Sequence, residues 1–130
     1  MYRWVEHTGE LELEVEAESE EGVFAEALAA FAELLDGEAA GMPLTRRLRV
    51  EGRDRAILLA DWLQELVFLA ETEAFVPRRL AEIELHPSEA RTVVEGRSGS
   101  PPPLVKAVTY HGLELEPLDG SWRARVVLDV

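Results

Sequence analysis

The sequence predicts an α+β domain, a mostly antiparallel sheet packed with two helices, and three observations carry that prediction. Leu11 to Glu16 alternates apolar and acidic residues without a break, the period of a strand with one buried and one wet face. Two stretches, Glu20–Leu35 and Asp54 to about Glu71, carry apolar residues at helical spacing. After the second helix the chain reads as strands following one another, which favours α+β over a doubly wound sheet. With 130 residues the chain has the commonest size of one domain and no room for a second core, so residues 1–130 are read as one domain.

A short strand, Tyr2–Val5, precedes the alternating one. Ser19 is placed to cap the first helix, and Glu20 and Glu21 suit its positive end. Val23, Phe24, Ala27, Leu28, Phe31, Leu34 and Leu35 form its apolar stripe, and Gly37 falls where a helix often stops. Gly41-Met42-Pro43 reads as a turn and Leu44–Glu51 as a strand. Asp54 is placed to cap the second helix. Its stripe of Leu58, Trp62, Leu66 and Leu69 is widened by Leu59 and Leu63, so this helix should be buried on more than one side. Pro77 and Pro87 flank a strand at Arg79–His86, with Thr92–Gly96 as its hairpin partner. Ser98-Gly99-Ser100-Pro101-Pro102-Pro103 reads as an exposed loop. Val105–Leu115 and Trp122–Val130 read as two strands joined by a turn around Leu118–Ser121.

Composition narrows the function. Twenty-six acidic against 13 basic side chains give a net charge of −13. Such a chain is repelled by phosphates, which argues against gripping nucleic acid directly and suits a basic partner protein, a metal ion, or nothing beyond solubility. Cysteine is absent, which removes disulfides, thiolate metal sites and cysteine nucleophiles, and fits a reducing compartment such as the cytoplasm. No apolar run approaches the roughly 18 residues of a membrane span, and the first residues lack the apolar core of a secretory signal. No Gly-rich phosphate loop with a Lys, no Gly-x-Ser-x-Gly elbow and no Glu-x-x-His is present, so the familiar nucleotide-binding and hydrolase classes recede.

Three features stand out. Glu6-His7-Thr8-Gly9-Glu10 sets two carboxylates and an imidazole around a turn, to hold a metal or a proton or simply to face water. Lys106-Ala107-Val108-Thr109-Tyr110-His111 contains the only lysine. Alternation sends Lys106, Val108 and Tyr110 to one face and Ala107, Thr109 and His111 to the other. Val127-Leu128-Asp129-Val130 puts an acid in an otherwise apolar last strand, which costs free energy unless it is paired, coordinated or solvated. Asp129, the terminal carboxylate and a nearby Glu would suit a hard cation such as calcium or magnesium. Asp61 and Glu65 share a helix face, where like charges are ordinarily just solvated.

Together, in this order, these features resemble the archease family. Its opening is usually Asp-His-Thr-Ala-Asp before an alternating strand. Phe24 to Phe31 looks like its first helix. Leu58-Leu59-Ala60-Asp61-Trp62-Leu63-Gln64-Glu65-Leu66 is close to its Leu-Leu-x-Asp-Trp-Leu-Asn-Glu-Leu. Val105 to His111 matches its Val-Lys-Ala-Val-Thr-Tyr-His, and Leu128-Asp129-Val130 its ending. The resemblance implies a strand-helix-strand-strand core. It implies no catalysis by the chain itself but the activation of an RtcB-type ligase in tRNA processing and splicing. That ligase joins a 2′,3′-cyclic phosphate or 3′-phosphate to a 5′-hydroxyl after guanylylation by GTP, and archease promotes guanylylation and repeated turnover. It implies a divalent ion, calcium first and magnesium or manganese as alternatives, held by Glu10, Asp129 and an oxygen of Val130. Glu6, His7, Lys106, Thr109 and His111 would line or support that patch. This chain departs from the pattern with Glu6 and Glu10 for Asp and Gly9 for Ala, which lengthens the acidic reach by a methylene. The competing reading is a stand-alone metal-dependent phosphoesterase using Glu10, Asp129 and His7, with His7 as general base.

Overall fold

The first two strands, β1 (Tyr2–His7) and β2 (Glu10–Ala17), form an antiparallel hairpin closed by Thr8 and Gly9, with Gly9 at φ +74°. The left-handed backbone there is one that glycine adopts without steric cost. The structure, a computed structural model, describes residues 1–36 and 41–130, so the expected helix stop at Gly37 lies outside the described residues. Helix α1 spans Glu20–Leu34, β3 Pro43–Glu51 and α2 Arg55–Glu73. Then come β4 (Phe75–His86), β5 (Glu89–Ser98), β6 (Ala107–Leu118) and β7 (Ser121–Asp129).

Both expected caps are present. Gly22 N–H donates to Ser19 Oγ at 2.9 Å, and Ile57 N–H to Asp54 Oδ1 at 2.9 Å. The last turn of the fold is a hairpin with Asp119 at φ 45° and Gly120 at φ 84°. Two positive φ values in succession give the backbone twist that matches paired antiparallel strands.

The strands divide between two sheets, each wholly antiparallel: β1-β2-β7-β6 and β3-β5-β4. Each helix bridges them, α1 packing on β2 and β4, and α2 on β6 and β3. One shared core results. Leu13, Val15, Val126 and Leu128 from the first sheet meet Leu48, Val50, Ala90 and Val94 from the second, across Phe24, Phe31, Leu58, Trp62, Leu63 and Leu66 of the helices. Phe24 and Trp62 pack with their rings tilted by 50°, 5.2 Å between centroids. The buried indole N–H of Trp62 donates to Thr92 Oγ1 at 2.8 Å, and Thr92 in turn donates to the Leu48 carbonyl at 3.3 Å. Thr92 is thus satisfied in the core, where an unpaired polar group would be costly.

Several strand boundaries differ from the sequence reading, β5 (Glu89–Ser98) being longer than the expected Thr92–Gly96 and β6 (Ala107–Leu118) lying later than the expected Val105–Leu115, and two differences involve prolines. Pro77 does not flank β4 but lies inside it, at the first of two register shifts. β4 is an edge strand, and edges and bulges are where a residue without an N–H is tolerated. The expected exposed loop begins one residue later, because Ser98 closes β5, pairing with Phe75 and bonding to Met42. Its prolines line a cleft with Leu35, Val67 and Ala70 rather than projecting free.

On the outer face of the three-stranded sheet, Glu89 takes hydrogen bonds from Arg49 at 2.6 Å and from Arg91. The Arg49 bond chiefly holds the Glu89 carboxyl below its ordinary value, and Arg91 adds to this. A depressed carboxylate contributes stability above its unfolded pKa and loses it as pH falls through the folded one. Urea midpoints measured from pH 7 down to pH 3 are therefore expected to fall less steeply for Glu89→Gln than for the parent chain. Parallel curves would mean that the guanidinium contacts contribute nothing in solution.

Candidate functional site

Register across the four-stranded sheet brings most of the candidate residues to one end. His7 pairs with Glu10, Glu10 with Asp129, and Asp129 with Ala107, so one row crosses all four strands. The next row on the same outward face is Val5, Glu12, Val127 and Thr109. Leu11 and Leu128, between these rows, turn to the core. The end of β7 is tied on both sides. Lys106 N–H donates to the Asp129 carbonyl at 2.8 Å, and Val130 N–H to the Gly9 carbonyl at 3.4 Å.

Glu10 is half-buried and Asp129 exposed. The expected cost of an acid in an apolar strand does not arise, because Asp129 faces outward while Val126 and Leu128 carry the apolar side. Cross-strand partners of this kind hold their Cβ atoms about 4.5–5.5 Å apart, and like charges there repel. Farther along this face Glu14, Glu114 and Glu116 have cations, Arg3 with Glu14 at 2.6 Å, Arg125 with Glu114 at 3.4 Å and Arg123 with Glu116 at 3.2 Å, while Glu16 takes the Ser121 hydroxyl at 3.3 Å. Glu10 and Asp129 form no ion pair among the described residues, and His7 turns to Glu12 at 3.5 Å. The end row is therefore an uncompensated carboxylate pair.

Glu6 is not brought to that pair. A two-residue turn makes His7 the partner of Glu10, so Glu6 pairs with Leu11 and belongs to the opposite face. Lys106 is exposed just before β6 begins and makes no ion pair among the described residues. Thr109 Oγ1 accepts from His111 N–H at 3.2 Å, and His111 is exposed. Among the described residues no three His, Cys, Asp or Glu side chains stand close enough together to hold a metal ion.

Sequence reasoning missed Gln64 and the role of Asp61. Val108 N–H donates to Gln64 Oε1 at 2.8 Å, and the Tyr110 hydroxyl donates to Asp61. The bond to Asp61 chiefly raises the Tyr110 phenol above its ordinary value, with burial adding to it. The signal was in the spacing. Asp61 and Gln64 share a helix face and Val108 and Tyr110 a strand face, so one contact makes the other reachable.

Fold and site define a small α+β domain that presents acidic groups on an open sheet end. Among the described residues no helix is long and apolar enough to cross a membrane. The Archease protein family (MTH1598/TM1083) model matches residues 2–130. Protein archease of Methanosarcina mazei is 33% identical over 139 aligned residues, covering 99% of this chain and 95% of that protein. The solution structure of Methanobacterium thermoautotrophicum protein 1598 superposes with a TM-score of 0.76 at 26% identity, covering 99% of this chain and 98% of the other. The crystal structure of a Thermotoga maritima archease, described as a possible chaperone, matches with a TM-score of 0.67 at 21% identity over 100% of this chain and 98% of that one. The chain belongs to the archease family.

Proposed function

We propose that this protein is a cytoplasmic accessory factor, not itself an enzyme, that activates an RtcB-type RNA ligase acting in tRNA processing and splicing. It would promote the ligase's guanylylation by GTP and its repeated turnover. Family membership supports the role, and one observation supports the site: Glu10 and Asp129 oppose each other on an open sheet end and form no ion pair among the described residues. Two like charges about 5 Å apart repel by about 1 kcal/mol even in bulk water, and by more beside protein. A divalent ion relieves that repulsion. Glu10, Asp129 and a backbone oxygen of Val130 would hold it, with calcium the first candidate and magnesium or manganese the others.

When bound, such an ion supplies positive charge for phosphate oxygens. The chain's own residues then divide the work. Glu10 and Asp129 set the negative field of the end row, Lys106 adds a single cation beside it, and Thr109 and His111 face the partner. The net charge of −13 steers the protein toward a basic surface such as an RNA-binding rim, with no strong nucleic-acid binding of its own.

The test is multiple-turnover joining of a 2′,3′-cyclic phosphate or 3′-phosphate end to a 5′-hydroxyl by the cognate ligase, with GTP and Mn²⁺. A substoichiometric amount of this protein is expected to raise turnover. No effect at stoichiometric excess of folded protein overturns the role. Metal-dependent turnover of a small phosphoester by the protein alone would instead favour the phosphoesterase built on Glu10, His7 and Asp129.

A further inference from the structure

β6 is an edge strand, and the part of it that borders Asp129 is held by little of its own sheet. Its ladder with β7 runs Ala107↔Asp129, Val108↔Leu128, Thr109↔Val127, then breaks and resumes only at Glu114↔Arg125. Among the described residues no strand covers its other side, and an edge left this way presents unpaired N–H groups. Helix α2 fills that side. Gln64 Oε1 takes the Val108 N–H at 2.8 Å, and Asp61 takes the Tyr110 hydroxyl. The two helix residues are one turn apart, a rise of about 4.5 Å, and the two strand residues about 6.6 Å, close enough for both contacts to form at once.

Tyr110 is 60% exposed, so burial of its ring does not account for its placement and the hydroxyl is the anchor. Past it the chain bulges through Gly112, at φ +64°, and Arg125 Nε donates to the Gly112 carbonyl at 3.0 Å. The bulge that carries His111 is thus fixed at one end by α2 and at the other by β7. Bulges of this kind re-aim side chains beside functional sites.

We propose that Gln64 and Asp61 are positioning residues that replace the missing neighbour strand and set where Lys106, Thr109 and His111 stand relative to Asp129. A one-residue slip of β6 would move Thr109 to the opposite face of the sheet and carry the Lys106 N–H away from the Asp129 carbonyl. The side chain at 64 must offer an acceptor to a backbone N–H; glutamate keeps that acceptor and leucine removes it. The functional half of the proposal rests on the ligase-activating reading, and the structural half does not.

The experiment uses the full chain and five variants: Gln64→Leu, Gln64→Glu, Asp61→Asn, Tyr110→Phe and the double Asp61→Ala/Gln64→Leu. Amide exchange followed by NMR is expected to show Val108 exchanging about tenfold faster in Gln64→Leu, from loss of one hydrogen bond. Leu13 and Val126 should stay unchanged, and Gln64→Glu should match the parent. In ligation the double variant is expected to need about tenfold more protein for half-maximal stimulation, with Gln64→Glu and Asp61→Asn close to the parent. If Gln64→Leu does not fold, Tyr110→Phe, which removes only a hydroxyl, carries the test through exchange at His111. Unchanged exchange overturns the proposal, and so does faster exchange with undiminished stimulation. If the parent chain itself fails to stimulate a ligase, the proposed function falls, and the exchange arm still decides whether α2 holds β6.

Discussion

Glu10→Gln combined with Asp129→Asn is expected to leave the protein folded, to raise its melting temperature in the absence of divalent cations, and to abolish its stimulation of an RtcB-type ligase. The sign of the stability change is the discriminating part. The two acids are register partners and form no ion pair among the described residues. Opposed like charges cost roughly 0.2–1 kcal/mol. Removing both charges while keeping the side-chain shapes should therefore raise the midpoint by up to about 5 °C. A cation bound only by the folded parent adds about 2.7 kcal/mol at a hundred times its dissociation constant. Calcium, magnesium and manganese titrations should shift the parent's midpoint and leave the neutral variant's in place. A neutral variant that melted lower than the parent would show the carboxylates engaged in favourable contacts, and one that still stimulated the ligase would remove them from the working surface.

What the sequence reveals and what it conceals divide along range. The helices and their caps were legible because each depends on neighbours within a turn: Ser19 on Gly22, Asp54 on Ile57, the apolar stripes on their own periodicity. The partition of the strands into two sheets was not, because it is set by pairings such as Glu10 with Asp129, more than a hundred residues apart in the chain. Glu6 is the instructive intermediate. Grouping it with Glu10 by proximity ignores parity. Once Thr8 and Gly9 are taken as a two-residue turn, His7 must face Glu10, and Glu6 must face Leu11 on the other side. Asp129 read as a costly acid for the same reason, since only the register shows that it points outward. Gln64 stayed hidden because a glutamine on a helix gives no pattern until its strand partner is known.

Gly96→Ala is expected to be the costlier of two single-methyl additions, at about 3 kcal/mol or more, lowering the melting temperature by about 10 °C or more. Gly96 lies on β5, the centre of the three-stranded sheet, between Leu44 of β3 and Pro77 of β4. A Cβ there would overlap the Val76 carbonyl oxygen and stand 2.8 Å and 2.9 Å from ring atoms of Phe75. The oxygen is backbone, in a strand already bent by its register shifts. The ring is fully buried and lies under the Arg46 guanidinium at 5.8 Å, which is itself paired with Glu73 at 2.6 Å. Neither neighbour yields cheaply. Gly9→Ala is the control, because its Cβ meets nothing within 4 Å and pays only for φ +74°, about 1–2 kcal/mol. Reversed order in a pair of thermal melts would mean that β4 stands farther from β5 than these contacts require. Well below its lowered midpoint, the Gly96→Ala protein should still stimulate the ligase, since Glu10 and Asp129 belong to the other sheet. Loss of stimulation in a demonstrably folded variant would move the working surface to the three-stranded sheet and away from the carboxylate pair.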